Sequence, residues 1–279
     1  MKQGRRLLAQ LGFFLLQNPV LKNFTTGEIY QGSLKNACSP GLNCYSCPAA
    51  VVSCPIGATS LFLAGVKQNV SFYVTGFLLT AGVLFGRFIC GFVCPMGLLQ
   101  DLIYRIKVKK LISRLRFLKY TKYVILVVFV ILLPLTVRND LSGLGQPWFC
   151  MVICPSGMLF GAIPLLAVNE FLMQFTGAQF IIKSVIAAGI LIISLFVYRF
   201  FCRVLCPLGA IYALLNRIAI LHMRCDREKC DSCGHCAAAC HIKIEPALQP
   251  NSPECVRCGK CVNACTRRAL SYTMRGKMG

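Results

Sequence analysis

Long apolar runs separated by short basic segments constrain the fold of this chain more than any other feature. The runs cover residues 7–21, 49–65, 70–86, 123–137, 157–175 and 180–201. A helix needs about 20 residues to cross the hydrocarbon core of a bilayer, and the runs at 70–86, 123–137 and 180–201 reach or approach that length with their flanks. The run at 49–65 is short and begins among cysteines, so we interpret it as a re-entrant or tilted helix. Only 14% of the residues are charged, against about 25% in soluble proteins, which disfavours an ordinary soluble enzyme.

The basic residues indicate how these segments are oriented. The chain has 30 Lys and Arg against 9 Asp and Glu, a formal net charge of +21. One acid-free stretch holds eight of the basic residues: Arg105, Lys107, Lys109, Lys110, Arg114, Arg116, Lys119 and Lys122. Because cytoplasmic loops of membrane proteins carry an excess of Lys and Arg, we expect this stretch on the cytoplasmic side, and its close apolar flanks disfavour a nucleic-acid-binding patch. We therefore expect a multi-pass protein of the cytoplasmic (inner) membrane, in contact with lipid and not with nucleic acid.

Two motifs recur along the apolar part of the chain. The pattern Arg-Phe-x-Cys-x3-Cys-Pro-x-Gly spans 87–97 and returns at 199–209, an offset of 112 residues. The shorter pattern Cys-Pro-x-Gly also occurs at 54–57 and 154–157. Internal repeats with functional sites where the halves meet are common among membrane proteins. We therefore predict a membrane domain at 1–222, with duplicated halves of about 1–110 and 111–222, and a separate domain at 223–279.

Eight cysteines near the C-terminus have the spacing of an iron–sulfur protein. The run Cys-x2-Cys-x2-Cys-x3-Cys occurs at 230–240 and again at 255–265. This is the bacterial two-cluster ferredoxin pattern, in which the fourth Cys of each run ligates the other cluster. We predict two [4Fe–4S] clusters, one held by a first ferredoxin set (Cys230, Cys233, Cys236 and Cys265) and one by a second ferredoxin set (Cys255, Cys258, Cys261 and Cys240). Zinc is the alternative for Cys-x2-Cys pairs, but the doubled three-cysteine spacing disfavours it.

The longer repeated motif supplies four further thiols, which we call the inner quartet: Cys90, Cys94, Cys202 and Cys206. Cysteines four residues apart lie on one face of a helical turn, so each motif presents a pair of thiolates. Two pairs from related halves are enough for a third [4Fe–4S] cluster. Arg87 and Arg199 precede the pairs by three residues, where they either offset the negative charge of a cluster or extend to the lipid headgroups.

Six cysteines are expected on the opposite, outer face, and we call them the outer group: Cys38, Cys44, Cys47, Cys54, Cys150 and Cys154. A fourth cluster could be held by four of them, either the last four, by analogy with the inner quartet, or the first four alone. Disulfides are the other arrangement, because they form in oxidising compartments. All three arrangements remain open, and Cys225 has no clear function.

Two acids, Asp101 and Glu170, are expected nearest to membrane depth. Intramembrane acids are costly and are often functional, so both are candidate proton acceptors at a quinol site; the alternative for each is a water-exposed helix end. We expect no haem, because haem needs axial ligands such as His or Met and only His222 of the three histidines lies near the membrane part.

Together the two Arg-Phe-x-Cys-x3-Cys-Pro-x-Gly motifs, the apolar runs between them and the two-cluster ferredoxin tail resemble the membrane polyferredoxins of the NapH/NosR type. Those proteins are associated with quinol oxidation for periplasmic nitrate reduction and with nitrous oxide reductase maturation. The resemblance covers nearly the whole chain and implies four transmembrane helices, with the N- and C-termini cytoplasmic. The motif at Cys150 and Cys154 is not part of the family's usual pair.

These features predict a mainly α protein: a polytopic, internally duplicated membrane domain of about four spans with short re-entrant helices, followed by an α+β two-cluster ferredoxin domain. We expect it to pass electrons between a cytoplasmic donor or the quinol pool and an extracytoplasmic flavoprotein, cytochrome or reductase. It would then be an electron carrier or redox subunit rather than a stand-alone enzyme. Two alternatives stay open, a quinol dehydrogenase subunit that acts on one membrane face and a maturation protein whose thiols handle copper or zinc.

Overall fold

The computed structural model describes residues 3–65, 71–111, 117–138, 143–174 and 176–275. This part of the chain is mainly helical, as predicted, and contains a two-stranded sheet. The longer helices are Gln3–Gln17, Pro55–Leu63, Ser71–Phe85, Phe88–Phe92, Pro95–Ile103, Leu118–Thr136, Pro155–Val168, Ala178–Phe196, Phe200–Val204, Pro207–Leu215 and Lys260–Ala264. Short helical turns are Asn23–Thr26, Ser33–Asn36, Phe149–Ile153, Glu170–Met173 and His235–Ala238.

Two helices are long and apolar enough to cross a membrane by length and composition, Leu118–Thr136 and Ala178–Phe196, and we call them the span helices. Each has 19 residues, which at about 1.5 Å per residue is close to the thickness of the hydrocarbon core. The apolar helices Phe72–Phe85 and Pro155–Val168 are shorter. The span helices support association with a membrane, whereas the full set of four spans stays a prediction.

Four helices begin in the same way, at a Cys-Pro step. Cys54, Cys94, Cys154 and Cys206 all have an extended backbone, and the proline that follows each of them opens the helix. Proline suits the first helical position because its ring fixes φ near the helical value and its missing N–H would have no intrahelical acceptor there. Each of these cysteines therefore lies at a helix N-terminus, where free N–H groups favour a thiolate.

The apolar core forms around the inner quartet. Met96, Phe149, Phe201, Leu208 and Tyr212 are almost completely buried, and they belong to one packed cluster that includes all four thiols of the quartet. Because both halves of the chain contribute to this core, the repeated motifs are brought together by side-chain packing rather than by local sequence. The quartet is thus shielded from water.

The sheet closes the C-terminal domain on itself. Strand β1, Leu221–Cys225, pairs antiparallel with strand β2, Leu270–Met274, and Cys225 lies opposite Leu270. The strands flank the eight ferredoxin cysteines in sequence, so their pairing holds the two cysteine runs side by side. β1 begins two residues before the predicted start of the second domain at 223.

Candidate metal centres

The structure brings the four thiols of the inner quartet together in the core. All four side chains are buried, and each lies close enough to the other three for their charges to interact. Gln100 donates from Nε2 to Cys202 Sγ over 3.0 Å, Leu42 N–H donates to Cys94 Sγ over 3.4 Å, and Gly209 N–H donates to Cys206 Sγ over 3.3 Å. Hydrogen bonds of this kind favour the charged thiolate. The donor set is therefore four buried thiols, three of which accept hydrogen bonds from amide donors.

Arg87 and Arg199 cross between the two halves at this site. Both are completely buried. Arg87 Nη2 donates to the carbonyl of Cys202 over 3.0 Å, and Arg199 Nη1 donates to the carbonyl of Cys90 over 2.5 Å. Each arginine thus binds the cysteine motif of the other half. The alternative from the sequence, extension to the lipid headgroups, does not fit side chains with no exposed surface.

The glycines of the two motifs are required by the same close packing. A Cβ on Gly97 would lie 2.6 Å from the carbonyl oxygen of Cys90, and a Cβ on Gly209 would lie 2.8 Å from that of Cys202. Both distances are too short for a side chain. The last residue of the repeated pattern is therefore set by contact with the cysteine turn of its own motif.

Different carboxylates pair with the two arginines. Arg199 binds Asp101 through Nε at 2.9 Å and Nη2 at 2.6 Å, and Arg6 and Gln10 bind the same carboxylate. Burial alone would raise the pKa of Asp101, but Arg199 and then Arg6 outweigh it and lower that pKa to about 2. Asp101 therefore remains ionised and fully engaged by donors. The side chain of Glu170, the other acid singled out from the sequence, lies outside the described residues.

Glu254 is the carboxylate that sequence reasoning missed. It pairs with Arg87 Nη1 at 3.2 Å and with Lys122 Nζ at 2.6 Å. Burial opposes ionisation of Glu254, but Arg87 and Lys122 hold its pKa below the usual range. Nothing in the spacing pointed to it, except that it directly precedes Cys255 of the second ferredoxin set.

Buried cations exceed buried carboxylates around the inner quartet. Among the described residues, the buried cations near it are Arg6, Arg87, Lys122, Arg199 and Arg203, and the carboxylates that pair with them are Asp101 and Glu254. An excess of buried cations is costly unless an anion neutralises it. A cubane cluster on four thiolates is such an anion, so the charges and the donor set both fit a [4Fe–4S] group.

The second ferredoxin set also converges. Cys261 lies within electrostatic range of Cys255, Cys258 and Cys240, and the four cysteines line one small cavity together with Tyr198. This set packs directly on the inner quartet, because the carbonyl oxygen of Val256 would lie 2.5 Å from a Cβ on Gly91, the residue after Cys90.

The first ferredoxin set contains an additional thiol. A cavity of about 320 Å³ is lined by Cys230, Cys233, Cys236 and Cys265, and also by Cys225. The Cys225 thiol lies close enough to those of Cys230, Cys236 and Cys265 for their charges to interact. Cys225 is therefore a neighbour of this site, which the spacing of the cysteine runs did not reveal.

In the structure, four of the six cysteines of the outer group lie close together. Cys44, Cys54, Cys150 and Cys154 lie within electrostatic range of one another, and we call them the outer quartet. Cys47 instead donates to Asn18 Oδ1 at 3.7 Å.

All nineteen cysteines fall in the described part of the chain, and all are free thiols there. No group of three or more His, Cys, Asp or Glu among the described residues is arranged to hold a single metal ion.

Comparison with known proteins shows which proteins the chain resembles. A family model described as a 4Fe-4S binding domain matches residues 69–114 and 181–224, and the two matches begin 112 residues apart, the offset of the repeated motif. The ferredoxin-type protein NapH of Escherichia coli is 25% identical over 205 residues, which cover 69% of this chain and 64% of that protein. The chain is therefore similar to the NapH-type ferredoxin proteins. The family match and this relative support an iron–sulfur protein of the electron-transfer class.

Other relatives carry related names. The methylamine utilization ferredoxin-type protein MauN of Methylorubrum extorquens is 29% identical over 227 residues, 77% of this chain and 70% of MauN. An uncharacterized protein of Methanocaldococcus jannaschii is 29% identical over 195 residues, 68% of this chain and 74% of the relative. No solved structure matches. The NapH-type resemblance and [4Fe–4S] binding are thus confirmed, while the number and ligands of the clusters stay predictions.

Proposed function

We propose that this protein passes electrons through several [4Fe–4S] clusters between a cytoplasmic donor or the quinol pool and an extracytoplasmic redox partner. The observation that carries the proposal is the direct contact between Val256, inside the second ferredoxin set, and Gly91, inside the inner quartet motif. Electron transfer needs neighbouring redox centres, and this contact joins the two thiol sets with no intervening layer of protein.

The proposed ligands follow the three converging thiol sets. The first ferredoxin set, the second ferredoxin set and the inner quartet would each hold one [4Fe–4S] cluster, which accepts and releases single electrons when bound. The protein's own groups tune and enclose these centres. Gln100 and the backbone N–H groups donate to the inner thiolates, and Arg87 and Arg199 compensate the negative charge from both halves.

The proposed orientation places the ferredoxin domain and both termini in the cytoplasm. It is supported by the acid-free basic stretch at 105–122, part of which falls outside the described residues, and by the two span helices. A cytoplasmic donor would then meet the ferredoxin domain. The extracytoplasmic flavoprotein, cytochrome or reductase would accept electrons on the other face.

The geometry at Asp101 favours charge compensation over proton acceptance. Its carboxylate accepts from Arg6, Gln10 and Arg199, and these donors hold its pKa at about 2. A quinol site that relied on Asp101 as a base would need a carboxylate that takes up protons near neutral pH. An electron carrier needs no such group.

The decisive experiment counts clusters in anaerobically purified full-length protein, by iron and sulfide analysis and by EPR of the reduced protein. The double variant Cys94→Ala/Cys206→Ala should lose about four iron atoms per chain and one EPR signal, while Cys38→Ala serves as the control. If the quartet variant retained all its iron, the inner cluster would be excluded. If the protein were colourless and bound zinc or copper, the metal-handling alternative would replace electron transfer.

A further inference from the structure

The outer quartet repeats the design of the inner quartet, and Cys44 joins three thiols that the sequence had grouped with Cys47. Cys44 Sγ lies 3.6 Å from the position that a Cβ on Gly157 would take, and Cys150 Sγ lies 3.8 Å from the corresponding position on Gly57. Each thiol thus lies against the Cys-Pro-x-Gly turn of the other half. The crossing resembles that of Arg87 and Arg199 at the inner quartet.

The other two thiols of the outer quartet are anchored at helix starts. Cys54 directly precedes Pro55–Leu63 and Cys154 directly precedes Pro155–Gly157, so each thiol lies at the free N–H groups of a helix start. Cys94 and Cys206 occupy the same position in the inner quartet, before Pro95–Ile103 and Pro207–Leu215. Two crossing thiols and two thiols at helix starts form four convergent donors from both halves.

A lysine without a carboxylate partner provides the independent sign of an anionic ligand. Lys183 lies on the span helix Ala178–Phe196, and its Nζ is 3.2 Å from the position of a Cβ on Gly157. Among the described residues no ion pair engages it, although an ammonium group within a membrane span is costly. Its charge acts on Cys44, Cys150 and Cys154, so an anion bound by these thiols would neutralise it.

A buried hydroxyl group beside these thiols also lacks a partner. Ser156, inside the Cys154-Pro-Ser-Gly157 turn, is 1% exposed, and its Oγ has no hydrogen-bond partner among the described residues. A buried hydroxyl without a partner costs free energy. Inorganic sulfide and thiolate sulfurs are acceptors that could satisfy such donors.

We propose that Cys44, Cys54, Cys150 and Cys154 bind a further [4Fe–4S] cluster, with Lys183 compensating its charge. The four thiols lose their protons on ligation, and each binds one iron of the cubane. The ligand set differs from both groupings expected from the sequence, because Cys44 replaces Cys47, whose thiol is bonded to Asn18. The inference rests on the proposed function, since this cluster would extend the electron path toward the face opposite the ferredoxin domain.

The test uses the full-length protein, purified anaerobically in detergent, with iron and sulfide analysis and EPR after reduction. Cys44→Ala and Cys150→Ala should each lose about four iron atoms per chain and one EPR signal, while Cys38→Ala and Cys47→Ala retain both. Retention of all iron in the Cys44 and Cys150 variants would overturn the proposal, as would equal losses in the Cys47 control.

Three further measurements test the proposal without depending on whether one variant folds. The signals of the ferredoxin sets must persist in every variant, which shows that the chain is folded. In unmutated protein, alkylation of denatured samples before and after thiol reduction should give the same mass; a difference that maps to the outer quartet would show disulfides and overturn the proposal.

Lys183→Met should shift the midpoint potential of the assigned signal to more negative values, whereas Lys183→Arg should leave it near that of the unmutated protein.

The outcome is separable from that of the proposed function. If the outer quartet variants keep their iron but the inner quartet variant loses it, only the further cluster fails. If the inner quartet variant also keeps its iron, the electron path through the membrane part fails as a whole.

Discussion

At the scale of single residues, the inner site is defined by cations buried without enough carboxylates. Arg87 and Arg199 have no exposed surface and bind the cysteine turns of opposite halves. Arg199 also has a left-handed backbone, with φ of 51°, which costs about 1–3 kcal/mol and persists only where the surroundings require it. These side chains therefore both stabilise the packing of the two halves and supply positive charge to the site.

Arg199→Gln should destabilise the protein strongly, because Asp101 would lose two hydrogen bonds from a buried partner. Breaking a buried ion pair in this way costs about 3–5 kcal/mol. The measurement is the temperature at which the cluster absorbance disappears on heating. Arg105→Gln, which alters an exposed arginine, should leave that temperature unchanged; an equal effect of both substitutions would contradict the role assigned to Arg199.

Tyr198→Phe should lower the midpoint potential of the cluster held by the second ferredoxin set. The Tyr198 hydroxyl is buried, has no hydrogen-bond partner among the described residues and lines the cavity of that set. It is therefore placed to donate to a cluster sulfur and to stabilise the more negative, reduced state. A hydrogen bond of about 0.5–1.5 kcal/mol corresponds to roughly 20–60 mV for one electron. EPR-monitored redox titration measures the shift, with Tyr45→Phe, at an exposed tyrosine, as the control that should not move.

At the scale of secondary-structure elements, the recurring unit is a helix that begins at Cys-Pro and has a glycine in its first turn. The four units start at Cys54, Cys94, Cys154 and Cys206. In the inner quartet, the glycine allows the helix to approach the preceding cysteine turn. The unit thus positions a thiol by backbone geometry, before any cluster is bound.

Gly209→Ala should therefore destabilise the protein, because the new Cβ would lie 2.8 Å from the carbonyl oxygen of Cys202. Overpacking of this kind costs about 1–3 kcal/mol. Gly189→Ala is the matched control, since a Cβ there would meet nothing within 4 Å and alanine favours a helix. Thermal unfolding followed by circular dichroism should show opposite shifts for the two variants, and a lower melting temperature for both would refute the explanation.

The sequence predicted these helices and motifs better than the tertiary contacts between them. The spacing within each motif revealed both cysteine pairs of the inner quartet and the repeat that unites them. It could not show that Cys44, rather than Cys47, faces Gly157, because neighbouring cysteines in an irregular segment differ only in tertiary packing. Glu254 and Cys225 were missed for the same reason: their contacts are made by residues distant in sequence.

At the scale of the whole molecule, the cysteine-rich segment at 223–275 is held against the preceding part of the chain by buried polar contacts. Glu254 bridges Arg87 and Lys122, and Asn216 donates to the carbonyl of Ser252 over 2.7 Å. Arg257 in turn donates from Nη2 to the carbonyl of Asn216 over 2.8 Å. These contacts fix the second ferredoxin set against the inner quartet.

Gly91→Val should separate these two sets, because even a Cβ at this position would lie 2.5 Å from the carbonyl oxygen of Val256. Each cluster should still form, but the magnetic interaction between the two reduced clusters, seen as broadening of their EPR signals, should weaken. Gly76→Val, where a Cβ would meet nothing within 4 Å, should keep the interaction. Unchanged broadening in the Gly91 variant would show that the clusters are not neighbours across this contact.

The crossed arginines have a consequence for how such a molecule could arise. Arg87 completes the motif of the second half and Arg199 completes that of the first, so neither half can build its site alone. Two copies of one half, related by a two-fold axis, could exchange the same contacts. An ancestral single-half protein would then have functioned as a symmetric dimer, and fusion of its genes would have allowed Arg87 and Arg199 to bind different carboxylates.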